Sequence, residues 1–191
     1  MEYLVIALSS YFLGSIPFGF ILTKIFLKKD IRNIGSGNIG ATNALRTGNK
    51  TLGYATLLLD ITKAVLPVLY IKFNHPDYIF IASLCAFLGH VFPLWLNFKG
   101  GKGVATYVGI LFSINLILGL IFVVSWAITF LISKYSSLSS LVASLMIPIY
   151  LIFLKNYNSI FFIIMFVLIF YTHRENVKRL KNKEETKTKI Y

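Results

Sequence analysis

Acidic side chains are scarce in this sequence: seven Asp and Glu stand against 19 Lys and Arg, and charge of either sign fills only 14% of 191 positions. Soluble domains carry roughly 25% charged residues, so a surface wetted on every side is excluded. Cysteine is almost missing. Cys85 alone, inside an apolar run, rules out a disulfide or a thiolate metal site within one chain and leaves packing as its role. No internal repeat and no linker interrupts the chain, which points to a single polytopic membrane domain over residues 1–191, ending in a basic, flexible cytoplasmic tail from 181 to 191.

What the sequence has instead is apolar length. Hydrophobic residues make up 57% of it, with a mean hydropathy of +0.74. Crossing a hydrocarbon core of roughly 30 Å takes about 20 helical residues, and runs of that order recur at 3–27, 52–73, 78–96, 138–154 and 159–171. The expected fold is an all-α integral membrane protein. The first run lacks a basic leader, is too long for a signal peptide and carries Gly14, Ser15 and Pro17 in its middle, so it is expected to stay in the mature chain.

The net charge of +12 would point to nucleic acid in a soluble protein, but here it marks cytoplasmic loops. Residues 28–50 hold Lys28, Lys29, Arg32, Arg46 and Lys50 against Asp30, which places this loop in the cytoplasm and the N-terminus outside. Residues 74–77 then fall outside, and 97–103, with Lys99 and Lys102, return inside. The stretch 104–134 would make a helix of about 46 Å, too long for one upright crossing. A single tilted span would send the basic tail outside, with Arg174, Lys178, Arg179, Lys181, Lys183, Lys187 and Lys189. Two short crossings turning at 115–119 keep it inside. Five spans are plain, and this reading raises the count to seven, with the C-terminus cytoplasmic. The tail beyond Leu180 is expected to be a frayed helix end near anionic headgroups.

Polar residues gather in three places on that cytoplasmic side. The first is Gly35-Ser-Gly-Asn-Ile-Gly-Ala-Thr-Asn43, followed by Arg46. It contains G-x-G-x-x-G, but no strand precedes it, so a dinucleotide fold is not implied. Gly35 and Gly37 allow close backbone approach beside Ser36, Asn38, Thr42 and Asn43, a composition that suits a phosphate or another oxyanion; a tight polar turn is the plain alternative. The second is Lys99-Gly-Gly-Lys-Gly103, where Gly100, Gly101 and Gly103 surround Lys102 before a helix starts, which again favours an anion. Lysines that merely set topology are the alternative there. The third is Thr172-His-Arg-Glu-Asn-Val-Lys-Arg-Leu180, where helical spacing puts His173 and Asn176 on one face and Glu175 elsewhere. His90, at the end of a span, reads as a hydrogen-bonded structural residue, and Asp60 with Lys63, one turn apart inside the second run, as a structural ion pair.

These segments, together with Gly14-Ser-Ile-Pro-Phe-Gly19, Asp60-Ile-Thr-Lys-Ala64 and Gly89-His-Val-Phe-Pro93, closely resemble the acyl-phosphate:glycerol-3-phosphate acyltransferase family of bacterial membranes, in the family's order and along almost the whole chain. The resemblance implies seven membrane helices and acyl transfer from a long-chain acyl phosphate to the 1-hydroxyl of glycerol 3-phosphate, yielding lysophosphatidate and phosphate. It implies no cofactor or metal, and neither CoA nor an acyl carrier protein as donor. By motif, Ser36 and Arg46 would bind phosphate or orient substrate, and Lys102 with the backbone at 100–103 would hold glycerol 3-phosphate. His173 and Asn176 would contact substrate, Glu175 would be structural, and Ser137 or Ser140 would add a ligand. The His-x4-Asp pair of CoA-dependent glycerolipid acyltransferases is missing: Phe80, Trp95 and Lys178 stand five positions beyond His75, His90 and His173. From another class, a small anion transporter would use similar loops but would need polar groups near the midplane and access from both faces.

Overall fold

The structure is a computed structural model that describes residues 1–188; Lys189 and the two residues after it, part of the expected basic tail, lie outside the described residues. Regular structure among the described residues is entirely helical. The chain packs as two units, Met1–Ile114 and Asn115–Tyr191.

In the first unit the opening apolar run is a broken helix, α1 (Glu2–Gly14) and α2 (Phe18–Leu27). Pro17 explains the break, since it has no N–H and its ring clashes with the preceding turn. Ser15 Oγ turns back to donate to Phe12 O at 2.8 Å and accepts from Trp95 Nε1 at 2.8 Å. The short α3 (Ala41–Leu45) lies in the first loop. Next comes the 25-residue α4 (Lys50–Asn74), N-capped by Asn49, whose side chain accepts from Leu52 N–H at 3.1 Å. It packs against α5 (Ile79–Val91) and α6 (Val104–Ile114). Lys72 Nζ donates to the carbonyls of Ser113 and Ile114 at 2.8 and 3.0 Å, capping α6 with a charge suited to a helix C-terminus. At the far end of α4, His75 Nδ1 lies 2.6 Å from Glu2 Oε1, so the N-terminus and the link after α4 share one end of this unit.

The second unit holds α7 (Leu116–Ser133), α8 (Ser136–Phe153), α9 (Ser159–Thr172) and α10 (Arg174–Lys181). Asn115 caps α7, accepting from Ile117 N–H at 2.7 Å. The stretch 104–134 is therefore two helices, and the break lies within the predicted window. α9 and α10 meet at a 63° bend at His173.

Five helical segments, beginning with Glu2–Leu27, are long and apolar enough to cross a membrane, and a sixth counts α9 and α10 as one span. α6, with 11 residues, is only about 16 Å long, roughly half a hydrocarbon core. Length and composition alone thus stop at six of the seven expected crossings. Large apolar side chains face outward in numbers no water-soluble surface carries, Phe73, Ile132 and Phe153 being 77%, 79% and 85% exposed. This is a multi-pass membrane protein with lipid as its outer solvent.

Candidate functional site

The first loop is organised by one amide. Asn43 is buried; its Oδ1 accepts from Ser36 N–H at 3.0 Å, and its Nδ2 faces the carbonyls of Ile31, Ile34 and Asn38 at 3.1, 2.9 and 2.8 Å. Its capacity for hydrogen bonds is spent inside the loop, so Asn43 contributes the loop's shape. Asn38 likewise turns inward, its Oδ1 accepting from Gly40 N–H at 2.9 Å. Asp30 caps the preceding turn and grips Arg32 through a 2.6 Å contact; hydrogen bonding to that guanidinium outweighs the upward push of burial and holds the Asp30 carboxyl at about 2.

What the loop presents outward is Ser36 and Arg46. Gly35 sits at φ 55°, in the left-handed region that favours glycine, and Arg46 Cδ would be 2.9 Å from a Cβ placed there. A side chain at 35 would push the arginine away. Ser36 and Arg46 are exposed, and among the described residues no hydrogen bond or ion pair engages the Ser36 hydroxyl or the guanidinium. Gly37 is exposed beside them, and Thr42 is half-buried at the start of α3.

The second loop is pinned to the end of α5. Gly100 N–H donates to Val91 O at 3.0 Å and Gly101 N–H to His90 O at 3.1 Å. Gly101 abuts the Nε2 edge of the His90 imidazole, where any Cβ would overlap the ring, and Gly103 against Phe87 is similarly tight. Lys102, half-buried, stands between them. His90 in turn faces Asp60, 3.7 Å from Nδ1 to Oδ1, and Asp60 pairs with Lys63 at 2.8 Å. Lys63 Nζ also donates to Ile16 O at 2.7 Å, at the break of the first span. All three side chains are at most 4% exposed. One buried charge cluster thus braces the broken span and the seat of the lysine-glycine loop. Beside the break is a cavity of about 330 Å³ lined by Ile16, Pro17, Phe20, Ile21, Trp95 and Leu96, almost wholly apolar.

In the second unit the two candidate serines separate. Ser140 Oγ donates to Ser136 O at 2.9 Å and accepts from Trp126 Nε1 at 3.2 Å, so it is used within the helices. Ser137 Oγ reaches Glu185 Oε1 at 2.7 Å, and Asn176 Nδ2 reaches the same oxygen at 2.7 Å. His173 and Asn176 are 2% and 4% exposed. His173 Nδ1 lies 2.8 Å from Ile169 O; a carbonyl can only accept, so Nδ1 carries the hydrogen and a neutral ring keeps its lone pair on Nε2. Glu175 points outward, 4.0 Å from Arg174.

Ser36, Arg46 and the Gly35 turn therefore come together in the first unit, as do Lys102, its glycines and His90. Ser137 and Asn176 come together in the second. Sequence reasoning missed Glu185 and Trp95. The one signal for Glu185 is an acidic residue within a strongly basic tail; Trp95 carries none beyond its place after Pro93.

Among the described residues this is, by class, an all-helical, multi-pass membrane protein that carries an arginine-bearing glycine loop and a lysine-glycine loop. Residues 4–183 match the family described as glycerol-3-phosphate acyltransferase, and the chain belongs to that family. It is 89% identical to a glycerol-3-phosphate acyltransferase of Pelagibacter ubique over the full length of both chains. To one of Brucella anthropi it is 49% identical, over 93% of this chain and 89% of that one. Among solved structures it resembles PlsY (YgiH), an integral membrane glycerol 3-phosphate acyltransferase. The glycerol 3-phosphate form aligns with a TM-score of 0.93 at 34% identity, over 98% of this chain and 96% of that one. The lysophosphatidic acid form aligns at 0.88 and 33%, over 98% and 95%.

Proposed function

We propose that this protein transfers a long-chain acyl group from acyl phosphate to the 1-hydroxyl of glycerol 3-phosphate, forming lysophosphatidate and inorganic phosphate on the cytoplasmic face of a bacterial inner membrane. Seven crossings, with the N-terminus outside and the C-terminus inside, are the topology of this reading. The observation that carries it is the pairing of an unengaged Ser36 and Arg46 on the glycine loop with membership of an acyltransferase family.

The hydroxyl oxygen attacks the acyl carbonyl carbon, an ester C–O bond forms and the carbonyl–phosphate C–O bond breaks. The hydroxyl proton ends on the departing phosphate. An acyl phosphate already has a good leaving group, so positioning and charge neutralisation carry most of the catalysis. Arg46 and Ser36 hold phosphate oxygens; Lys102 and the backbone at 100–103 hold glycerol 3-phosphate; Ser137, His173 and Asn176 orient the acceptor. No CoA or acyl carrier protein takes part in this reading, in keeping with the missing His-x4-Asp pair. The acyl chain would lie along apolar helix surface, for which the cavity beside the first-span break is a candidate.

The test is release of phosphate by purified protein given palmitoyl phosphate and glycerol 3-phosphate, with Lys102→Ala and acyl-CoA as parallel arms. Phosphate and lysophosphatidate formed in equal amounts, lost in Lys102→Ala and not supported by acyl-CoA, is the expected result. Neither product from folded protein would overturn the reading, and counterflow of phosphate esters in proteoliposomes would then test transport.

A further inference from the structure

The tail carries a carboxylate that the acyl-transfer reading leaves unused. α10 ends at Asn182, Lys183 adopts φ 61°, and Glu184 N–H donates to Arg179 O at 2.8 Å, so the chain reverses. Further on, Thr188 N–H donates to Lys134 O at 2.9 Å. Where the composition points to a frayed end, the described tail is anchored on both sides of Glu185. The Glu185 side chain is 8% exposed and meets three donors. Oε1 accepts from Ser137 Oγ and Asn176 Nδ2, and Oε2 from Arg179 Nε, each at 2.7 Å. One carboxylate thus ties the start of α8 to α10.

The tie has a consequence for Asn176. Its amide must turn Nδ2 toward the carboxylate, because the flipped amide would set one acceptor against another in a buried place. Oδ1 is then held pointing away, buried, and without a hydrogen-bond partner among the described residues. A buried acceptor so fixed calls for a donor, and the acceptor substrate of acyl transfer brings hydroxyl groups.

We propose that Glu185 is a positioning residue of the acyl-transfer site: it locks the Asn176 amide and the Ser137 hydroxyl so that Asn176 Oδ1 receives a hydroxyl hydrogen of glycerol 3-phosphate. The proposal rests on the function given above. A tail that plugged the site would make the opposite prediction, since its removal would tighten substrate binding.

The experiment is a double-mutant cycle on the full-length protein with Glu185→Ala and Asn176→Ala, reading phosphate release against glycerol 3-phosphate concentration, with a thermal transition recorded for each variant. Glu185→Ala should lower kcat/KM for glycerol 3-phosphate about ten- to a hundredfold, the range of a hydrogen bond to a charged group. In the Asn176→Ala background the same change should cost less than about threefold more, because coupled residues are not additive. Glu185→Gln, which keeps one acceptor oxygen, should recover part of the loss, and it carries the cycle if Glu185→Ala does not fold. Losses that multiply, an unchanged rate, or a lower KM in Glu185→Ala would each overturn the proposal. If the wild type makes no lysophosphatidate, it is the functional reading that fails; the cycle is then run on calorimetric binding of glycerol 3-phosphate, where absent coupling or absent binding overturns the latch on its own terms.

Discussion

Lys63→Met removes the ammonium that serves both Asp60 and the carbonyl of Ile16. It leaves a carboxylate 3% exposed without its 2.8 Å partner and a carbonyl at a helix break without its 2.7 Å donor. Breaking a buried pair from one side costs about 3–5 kcal/mol, and Ile16 O, which still accepts from Phe18 N–H at 3.1 Å, loses one hydrogen bond, about 0.5–1.5 kcal/mol. Taking about 5 kcal/mol, the middle of that sum, at about 2–4 °C per kcal/mol for a chain of this size, Tm should fall by about 10–20 °C. The double variant Asp60→Leu/Lys63→Met removes both charges. Replacing a buried pair with apolar side chains is often neutral, so only the Ile16 carbonyl is left to account for, and the fall should be about half as large or less. The single thiol, Cys85 on α5, is half-buried and offers a reporter: a thiol-reactive dye added to detergent-solubilised protein lights up as the helices separate. Equal losses in the single and double variants, or a loss under about 3 °C in the single, would refute the view that one ammonium satisfies two buried groups.

Arg46→Lys keeps the charge but loses the planar fork that grips two phosphate oxygens; kcat/KM should fall about tenfold or more in the phosphate-release assay while Tm stays within about 2 °C. Gly101→Ala drives a methyl group into the His90 ring, so Tm and rate should fall together, and a rate that holds would mean that the loop can leave its seat freely. Burial pushes the Glu185 carboxyl up, but hydrogen bonds from Asn176, Ser137 and Arg179 outweigh it and leave the group below its usual range. A depressed carboxylate stabilises the fold at every pH above the ordinary glutamate value of about 4.3 and stops doing so as pH falls through its folded value. The tail contact should therefore stay closed from pH 6 to 8, and Glu185→Gln should change the height but not the shape of the pH–rate profile there. His173→Ala with most of the rate intact would mark the histidine as a ligand, and total loss would leave it the role of base.

The helical, membrane-embedded character was legible in the sequence because length and apolarity alone decide it, and the break at Asn115 followed from arithmetic on 31 residues. The break in the first span was only half legible. Gly14, Ser15 and Pro17 mark a weak point, but Lys63, which receives the freed carbonyl, lies 47 positions away. Asn43 shows the limit of reading by residue type: an amide in a glycine loop looks like a ligand, and only the fold reveals that its neighbours consume it. Glu185 was hidden for a related reason. Its three partners come from two helices, α8 and α10, and composition in the tail says only that the segment is basic. α6 was the least legible element, since an 11-residue helix is long for a loop and short for a crossing.

The ammonium that bridges Asp60 and the first-span break also bears on how the protein is made. In a bilayer, the broken first segment alone would hold the Ile16 carbonyl on the Phe18 N–H only, and α4 alone would carry a buried charge pair short of one contact. Each is the other's missing solvent. The first segment therefore gains the second donor at its break only from a residue translated 47 positions later. Insertion of this chain should then be completed pairwise, and a ribosome stalled before α4 should leave a first segment more open to proteases and membrane-phase crosslinkers.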